Sequence, residues 1–215
     1  MNVLICISSK YPNPQLYDCI DSLYKVQISQ DPNYVYKIHV LDSDSDNLVN
    51  YIKISKDFPD VKIHMIKNKN YEYGAWKYSL DTYPTFDLYF CIQDSQMIHT
   101  YIDLNAVNDK TAYTFHHHSG YNSHPAIKHL GIENLKGSNL NYMSIIHSNF
   151  TLAQHNSFII NKNILGDMFK HLTKPPTDKS GSCFYERNFG LYFLDKNIIT
   201  IDLNNYMNKT HGKRE

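Results

Sequence analysis

Residues 61–99, VKIHMIKNKNYEYGAWKYSLDTYPTFDLYFCIQDSQMIH, constrain the fold of this chain more than any other stretch. Val61, Ile63 and Met65 alternate with polar residues, the period of a half-buried strand. A polar loop, Asn68-Lys69-Asn70, leads through Tyr71-Glu72-Tyr73-Gly74 to a helix expected over residues 75–80. Pro84 closes that helix, because proline disfavours the helical conformation at the residue before it. Residues 88–92 are an almost unbroken apolar run, as expected of a strand covered on both faces. The run ends on Gln93-Asp94-Ser95-Gln96. A carboxylate at the carboxyl end of a buried strand sits where open α/β sheets hold their ligands.

The preceding residues repeat the pattern. Residues 3–7 read as a buried first strand ending on Ser8-Ser9, and residues 15–26 as a helix. Residues 34–41 form a second strand that closes on Asp42-Ser43-Asp44-Ser45-Asp46, with a helix over about 47–56. Strands and helices alternating at this spacing predict right-handed βαβ units, hence an α/β fold with a mostly parallel sheet flanked by helices. After His99 the pattern becomes α+β. Strands are expected at 112–118, 156–161 and 198–201, helices at 161–172 and 184–194, and irregular chain at 120–136. The expected organisation is one domain, with a first half at 1–99, a second at 100–203 and a polar, mobile tail at 204–215.

A chain of 215 residues with 42% apolar content suits one core. Its 21 basic and 21 acidic residues balance, so net charge gives no support to binding of nucleic acid or an anionic membrane. The opening MNVLICISSKYP has no basic leader, and its apolar run is too short for a signal peptide or membrane span. Four scattered cysteines without a C-x-x-C pair read as free thiols in a reducing compartment. The expectation is a cytoplasmic protein.

These motifs, in this order, resemble the GT-A fold glycosyltransferases, the small single-domain type that uses nucleotide sugars. Ser8-Ser9 and the helix after them resemble the opening of that family, and Asp42-Ser43-Asp44 its acidic turn after strand two. Asn70 and Gly74 resemble its Asn-x-x-Gly region, and Gln93-Asp94-Ser95-Gln96 its Asp-x-Asp motif. Asn156-Ser157-Phe158 with Glu186-Arg187 resembles its acceptor-side strand and acidic helix start. The resemblance implies a GT-A-like sheet with an acceptor-side second half. It implies transfer of a sugar, with inversion, from a nucleotide-sugar donor, UDP-linked as the first expectation, to a glycan hydroxyl. Ser8, Asp42, Asn70, Gly74, Gln93 and Asp94 would meet the nucleotide. Glu186 would be the general base. A weakly held Mn²⁺ or Mg²⁺ would sit on Asp94, with His211 assisting, once the nucleotide supplies its phosphates. The pattern departs from the family at Gln96, where a second Asp is usual, and at Glu186-Arg187, where a Glu-Asp pair is frequent.

Each assignment has a structural rival. Asp42, Asp44 and Asp46 suit Asx-type turns, Asp94 suits a helix cap, and Glu186 suits an ion pair with Arg187. Tyr71, Tyr73 and Trp76 read as packing before sugar platforms. His116, His117 and His118, with His124 and His129, lack the spacing of a zinc site and read as a polar strand end lining a cleft. Two other functions compete: a catalytically inactive glycan- or nucleotide-binding module, and a sugar nucleotidyltransferase. The second lacks a Gly-rich basic loop after strand one.

Overall fold

A computed structural model describes residues 1–11, 14–46, 48–121 and 125–210. Its frame is a sheet of seven strands in the order β3-β2-β1-β4-β7-β6-β8. These are β1 (Asn2–Ser9), β2 (Val35–Asp42), β3 (Lys62–Met65), β4 (Leu88–Gln93), β6 (Thr111–His118), β7 (Thr151–Asn161) and β8 (Ile199–Asp202). β1 pairs in parallel with β2 and β4, and β2 with β3. β7 alone runs against its neighbours β4 and β6, and β8 pairs in parallel with β6. A separate antiparallel ribbon joins β5 (Gln96–Ile98) to β9 (Met207–Lys209). The fold is α/β with a mostly parallel, Rossmann-like sheet.

β1 and β4 are apolar on both faces because two cores enclose them. Leu4, Cys6, Tyr89 and Cys91 face one core with Trp76, Leu165 and Phe189. Val3, Ile5, Ile7, Phe90 and Ile92 face the other with Leu16, Ile20 and Ile54. The helices behind these contacts are α1 (Pro14–Ser22), α2 (Val49–Asp57), α3 (Tyr71–Thr82), α6 (Lys162–His171) and α7 (Lys179–Asp195). Two shorter ones, α4 (Lys128–Leu135) and α5 (Tyr142–Ile145), precede β7. Cys6, Cys19 and Cys91 are buried free thiols, and Cys183 is a partly exposed one.

Four expectations need correction. The helix after β3 begins at Tyr71, so Gly74 lies inside α3 rather than before it. The stretch read as irregular contains α4, with Gly131 and Leu135 buried. Helix α7 starts at Lys179, because Asp178 caps it by accepting a 2.7 Å hydrogen bond from the Gly181 amide. Ser180-Gly181-Ser182 therefore belongs to the helix, and Glu186 lies two turns inside it. Finally, part of the stretch read as a polar tail is paired: β9 joins β5, and Thr210 N donates to Ser95 O at 2.8 Å.

Helix α7 rests on β7 at unusually close range, and Gly190 allows it. A Cβ there would lie 2.5 Å from the Thr151 carbonyl oxygen and 2.9 Å from Leu152 Cα, both backbone atoms that cannot swing aside. Gly190→Ala is expected to destabilise the fold by about 1–3 kcal/mol, the usual range for overpacking, despite alanine's better helix propensity. Urea denaturation of the two proteins measures it, and an unchanged midpoint would show that the helix can lift from the sheet without loss.

Candidate active site

A strand enclosed on both faces can present polar groups only at its ends. The parallel register of β1, β2 and β4 aligns Ser9 with Asp42 and Ser8 with Gln93, which brings three polar strand ends to one edge of the sheet. Backbone bonds lock them together: Ser43 N to Ser9 O at 2.9 Å, Asp94 N to Ser8 O at 3.1 Å, and Ile66 N to Asp42 O at 3.0 Å. Over this edge opens a cleft of about 340 Å³ lined by Ser8, Ser9, Lys10, Ser43, Asp44, Asn68, Lys69, Tyr71, Glu72, Gln93, Asp94 and Lys179.

Strain gathers around it. Tyr11, Asp44 and Lys67, in the loops after β1, β2 and β3, and Tyr71, the first residue of α3, all hold positive φ of 48–78° without being glycine. Such conformations cost energy and persist where surrounding contacts over-determine them. Asn68 is one such contact. Its side chain accepts from Asn70 N at 2.8 Å and donates to the Tyr71 carbonyl, which turns the chain into α3. A Cβ on Gly74 would lie 1.9 Å from Asn68 Oδ1, so the glycine exists to seat that asparagine.

The residues expected from sequence divide between the cleft and its framework. Ser8, Gln93 and Asp94 line the cleft. Asp94 is buried and accepts the Ser9 hydroxyl at 3.0 Å. Asp42 stands behind the wall, fully buried; its carboxylate accepts Ser45 N at 2.7 Å, the Ser45 hydroxyl at 2.5 Å and the Tyr51 hydroxyl. The turn it organises presents Ser43 and Asp44 instead. Asn70 is also structural, donating to the Pro176 carbonyl at 2.9 Å and so tying the start of α3 to the segment before α7. Gly74 reaches the cleft only through Asn68. His211 and His124 lie outside the described residues. The histidine run ends β6, where His117 and His118 are exposed, and it does not line this cleft.

Beside the cleft, β7 is broken by a bulge that shifts its register against β6 between Thr114 and Phe115. His155 and Asn156, at φ 62° and 53°, form it. The bulge is held from four sides. Trp76 Nε1 donates to Asn156 O at 2.8 Å, and Thr114 Oγ1 donates to Ser157 O at 2.9 Å. Asn156 Nδ2 donates to Ser182 O at 3.1 Å, and His155 N donates to Glu186 Oε1 at 2.8 Å. Bulges re-aim side chains, and they concentrate near active sites.

The bulge joins a chain of polar groups that runs to the cleft floor. Glu72 accepts Gln93 Nε2 at 2.6 Å and the Ser182 hydroxyl at 3.0 Å. Gln93 Oε1 accepts Lys209 Nζ at 2.5 Å, and Lys209 Nζ also lies 3.5 Å from His155 Nδ1. Glu186 borders this chain with its side chain 23% exposed. Burial raises its pKa above the ordinary 4.5, while the His155 amide and the Arg187 and Lys209 charges pull the other way. Sequence reasoning missed Asn68, Glu72, His155, Lys179 and Lys209. Glu72 alone carried a local signal, as an acid in the first turn of a helix facing a buried strand end.

The donor set does not fit a resident metal. Among the described residues, no group of three His, Cys, Asp or Glu side chains converges on one point. Asp94 is a lone carboxylate already holding the Ser9 hydroxyl, and Glu72 is committed to Gln93 and Ser182. Gln96 faces away from the cleft, accepting Gln93 N at 2.8 Å and the Ser157 hydroxyl at 3.0 Å. Asp42→Ala is expected to lower stability by about 1–3 kcal/mol, because buried donors lose their acceptor. Thermal unfolding with calorimetric detection measures it, and a wild-type stability would show that Ser45 and Tyr51 find other partners.

No family model matches this sequence, and no curated protein matches it. Among the described residues no helix is long and apolar enough to cross a membrane. Solved structures do match. TarS of S. aureus aligns with a TM-score of 0.57 at 13% identity, over 98% of this chain and 37% of its own. A second structure, TarS 1–349, gives 0.55 at 11% identity, over 98% and 60%. The apo structure of the bifunctional glycosyltransferase WbbM gives 0.54 at 13% identity, over 94% and 39%. This chain thus spans between 37% and 60% of the lengths of those chains. At such identities the likeness is one of architecture: the chain shares its fold with a solved glycosyltransferase.

Proposed function

We propose that this chain is a glycosyltransferase of the GT-A type, moving a sugar with inversion from a nucleoside-diphosphate donor, UDP-linked, to a glycan hydroxyl. The observation that carries the reading is the cleft at the carboxyl edge of β1, β2 and β4, rimmed by Lys10, Lys69 and Lys179 and joined through Glu72 and Gln93 to the polar chain that Glu186 borders. Serines and backbone at the strand ends suit a ribose and base, and lysines suit phosphates. Glu186, hydrogen-bonded by His155 N, is the group we assign to take the acceptor's proton. Its raised pKa moves its basicity toward neutrality, which favours a general base. In the transfer the acceptor oxygen bonds the anomeric carbon while the carbon–oxygen bond to the diphosphate breaks, and the hydroxyl proton passes to Glu186.

A panel of nucleoside diphosphates and their sugars is expected to raise the melting temperature, UDP compounds most, because a ligand that binds only the folded state stabilises it. If none does, the chain is better read as a glycan-binding module. Glu186→Gln is expected to keep donor binding and to lower turnover by about two orders of magnitude. Near-full transfer by that variant would place the base elsewhere. The pH dependence follows from the direction of the shift. A carboxylate whose pKa is raised is lost sooner on acidification, so transfer should fall on the acid side with an apparent pKa above 4.5. An acid limb at or below that value would separate the profile from Glu186.

A further inference from the structure

We propose that Lys209 supplies the positive charge that stabilises the departing diphosphate, in the place where the sequence suggests a divalent ion. The proposal deepens the glycosyltransferase reading and rests on it. Its ground is a juxtaposition that the sequence pattern alone does not contain. β9 adds to β5 with Lys209 opposite Gln96, and Thr210 N and Oγ1 both donate to Ser95 O, at 2.8 and 3.0 Å. The backbone on either side of Lys209 is therefore pinned to the turn that carries Asp94. Its ammonium reaches Gln93 Oε1 at 2.5 Å and stands 3.5 Å from His155 Nδ1.

Gln93 is itself part of the cleft wall, next to Asp94 and Glu72. The ammonium thus lies one hydrogen bond behind the wall at the end of β4. The residue orienting it is an amide, which aims the lysine without adding a negative charge. An aspartate at 93 would hold the same ammonium as an ion pair and cancel its field. Lysine is a compact point charge that serves phosphates well, and Lys10, Lys69 and Lys179 line the same cleft from other segments. Of the three carboxylates that line the cleft, Glu72 is engaged by Gln93 and Ser182 and Asp94 by Ser9, and positions 93 and 96 bring amides where a divalent ion needs hard anionic ligands.

In the transfer step the electron pair of the breaking carbon–oxygen bond stays on the diphosphate. Lys209 keeps its proton throughout and meets that developing charge, an electrostatic contribution available without any reorganisation. Glu186 feels the same ammonium, which favours its ionised form and opposes the rise that burial causes.

The test is calorimetric titration of UDP and of uridine into the full chain, first in EDTA and then with Mn²⁺, for the wild type, Lys209→Met and Lys209→Arg. UDP is expected to bind the wild type in EDTA, with little gain from Mn²⁺. Lys209→Met should weaken UDP by about tenfold or more, as loss of a charge-assisted contact does, and leave uridine unchanged. Lys209→Arg should retain most of the affinity. A purely structural role would weaken uridine and UDP together, and that result would overturn the proposal. So would UDP binding that needs Mn²⁺, or a methionine variant that binds UDP like the wild type; either leaves the glycosyltransferase reading standing. Absence of binding by every nucleoside diphosphate, with and without Mn²⁺, would remove both. Should Lys209→Met fail to fold, Lys209→Gln carries the same comparison, since it can keep the bond to Gln93 without the charge.

Discussion

The enclosure of β1 and β4 between two apolar cores is the constraint from which the rest follows. Every side chain of Val3 through Ile7 and of Tyr89 through Ile92 is removed from water. A polar group within those runs needs a partner inside the fold, as the Tyr89 hydroxyl has in the Tyr83 carbonyl at 2.7 Å; without one it costs several kcal/mol on apolar-transfer scales. Polar chemistry is therefore displaced to the strand ends. Parallel pairing then brings those ends to a common edge, where hydrogen bonds such as Ser9 to Asp94 satisfy them. The position of the cleft is in this sense a by-product of how the sheet is insulated.

The second half of the chain answers that edge with strand reversal and distortion. β7 enters the sheet antiparallel beside β4, which carries residues 155–157 toward the cleft end of its neighbour. A regular strand would continue its ladder with β6 there. The bulge breaks the ladder and turns the His155 amide to Glu186 and the Asn156 amide to Ser182. The strain of two left-handed residues is offset by Trp76, Ser182 and Thr114, each from a different element. Trp76, a buried indole, thus owes its place to a hydrogen bond as much as to packing.

Much of this frame could be read in the sequence, and the reasons for the failures are physical. Periodicity identified β1, β2, β3 and β4 because a two-sided core leaves a continuous apolar signature, and Asp94 was recognisable by its position after such a run. Asp42 stands at the expected strand end with its carboxylate on its own turn: an Asp after a strand can face a ligand or its turn, and only the placement of Ser45 and Tyr51 decides. Asn70 was displaced by Asn68 because both asparagines suit the loop, and the contact with Gly74 that selects one is tertiary. Nothing local marks His155 and Asn156 as left-handed. Lys209 lay in a stretch whose polarity suggested mobility, and its partner Gln93 is 116 residues away.

The three-residue pairing of β5 with β9 has a thermodynamic consequence of its own. A short two-stranded ribbon outside the main sheet has few bonds to lose, and such elements open well below the free energy of global unfolding. Its opening would carry the Lys209 ammonium away from Gln93 while β1, β2 and β4 kept their register. The ribbon that holds Lys209 would then open as a unit of its own, apart from the seven-stranded sheet. Amide exchange of His99 and Thr210, whose N–H groups donate to Tyr206 O and Ser95 O, would report on the ribbon without registering the sheet, and the fraction of molecules competent at the cleft would be smaller than the fraction folded.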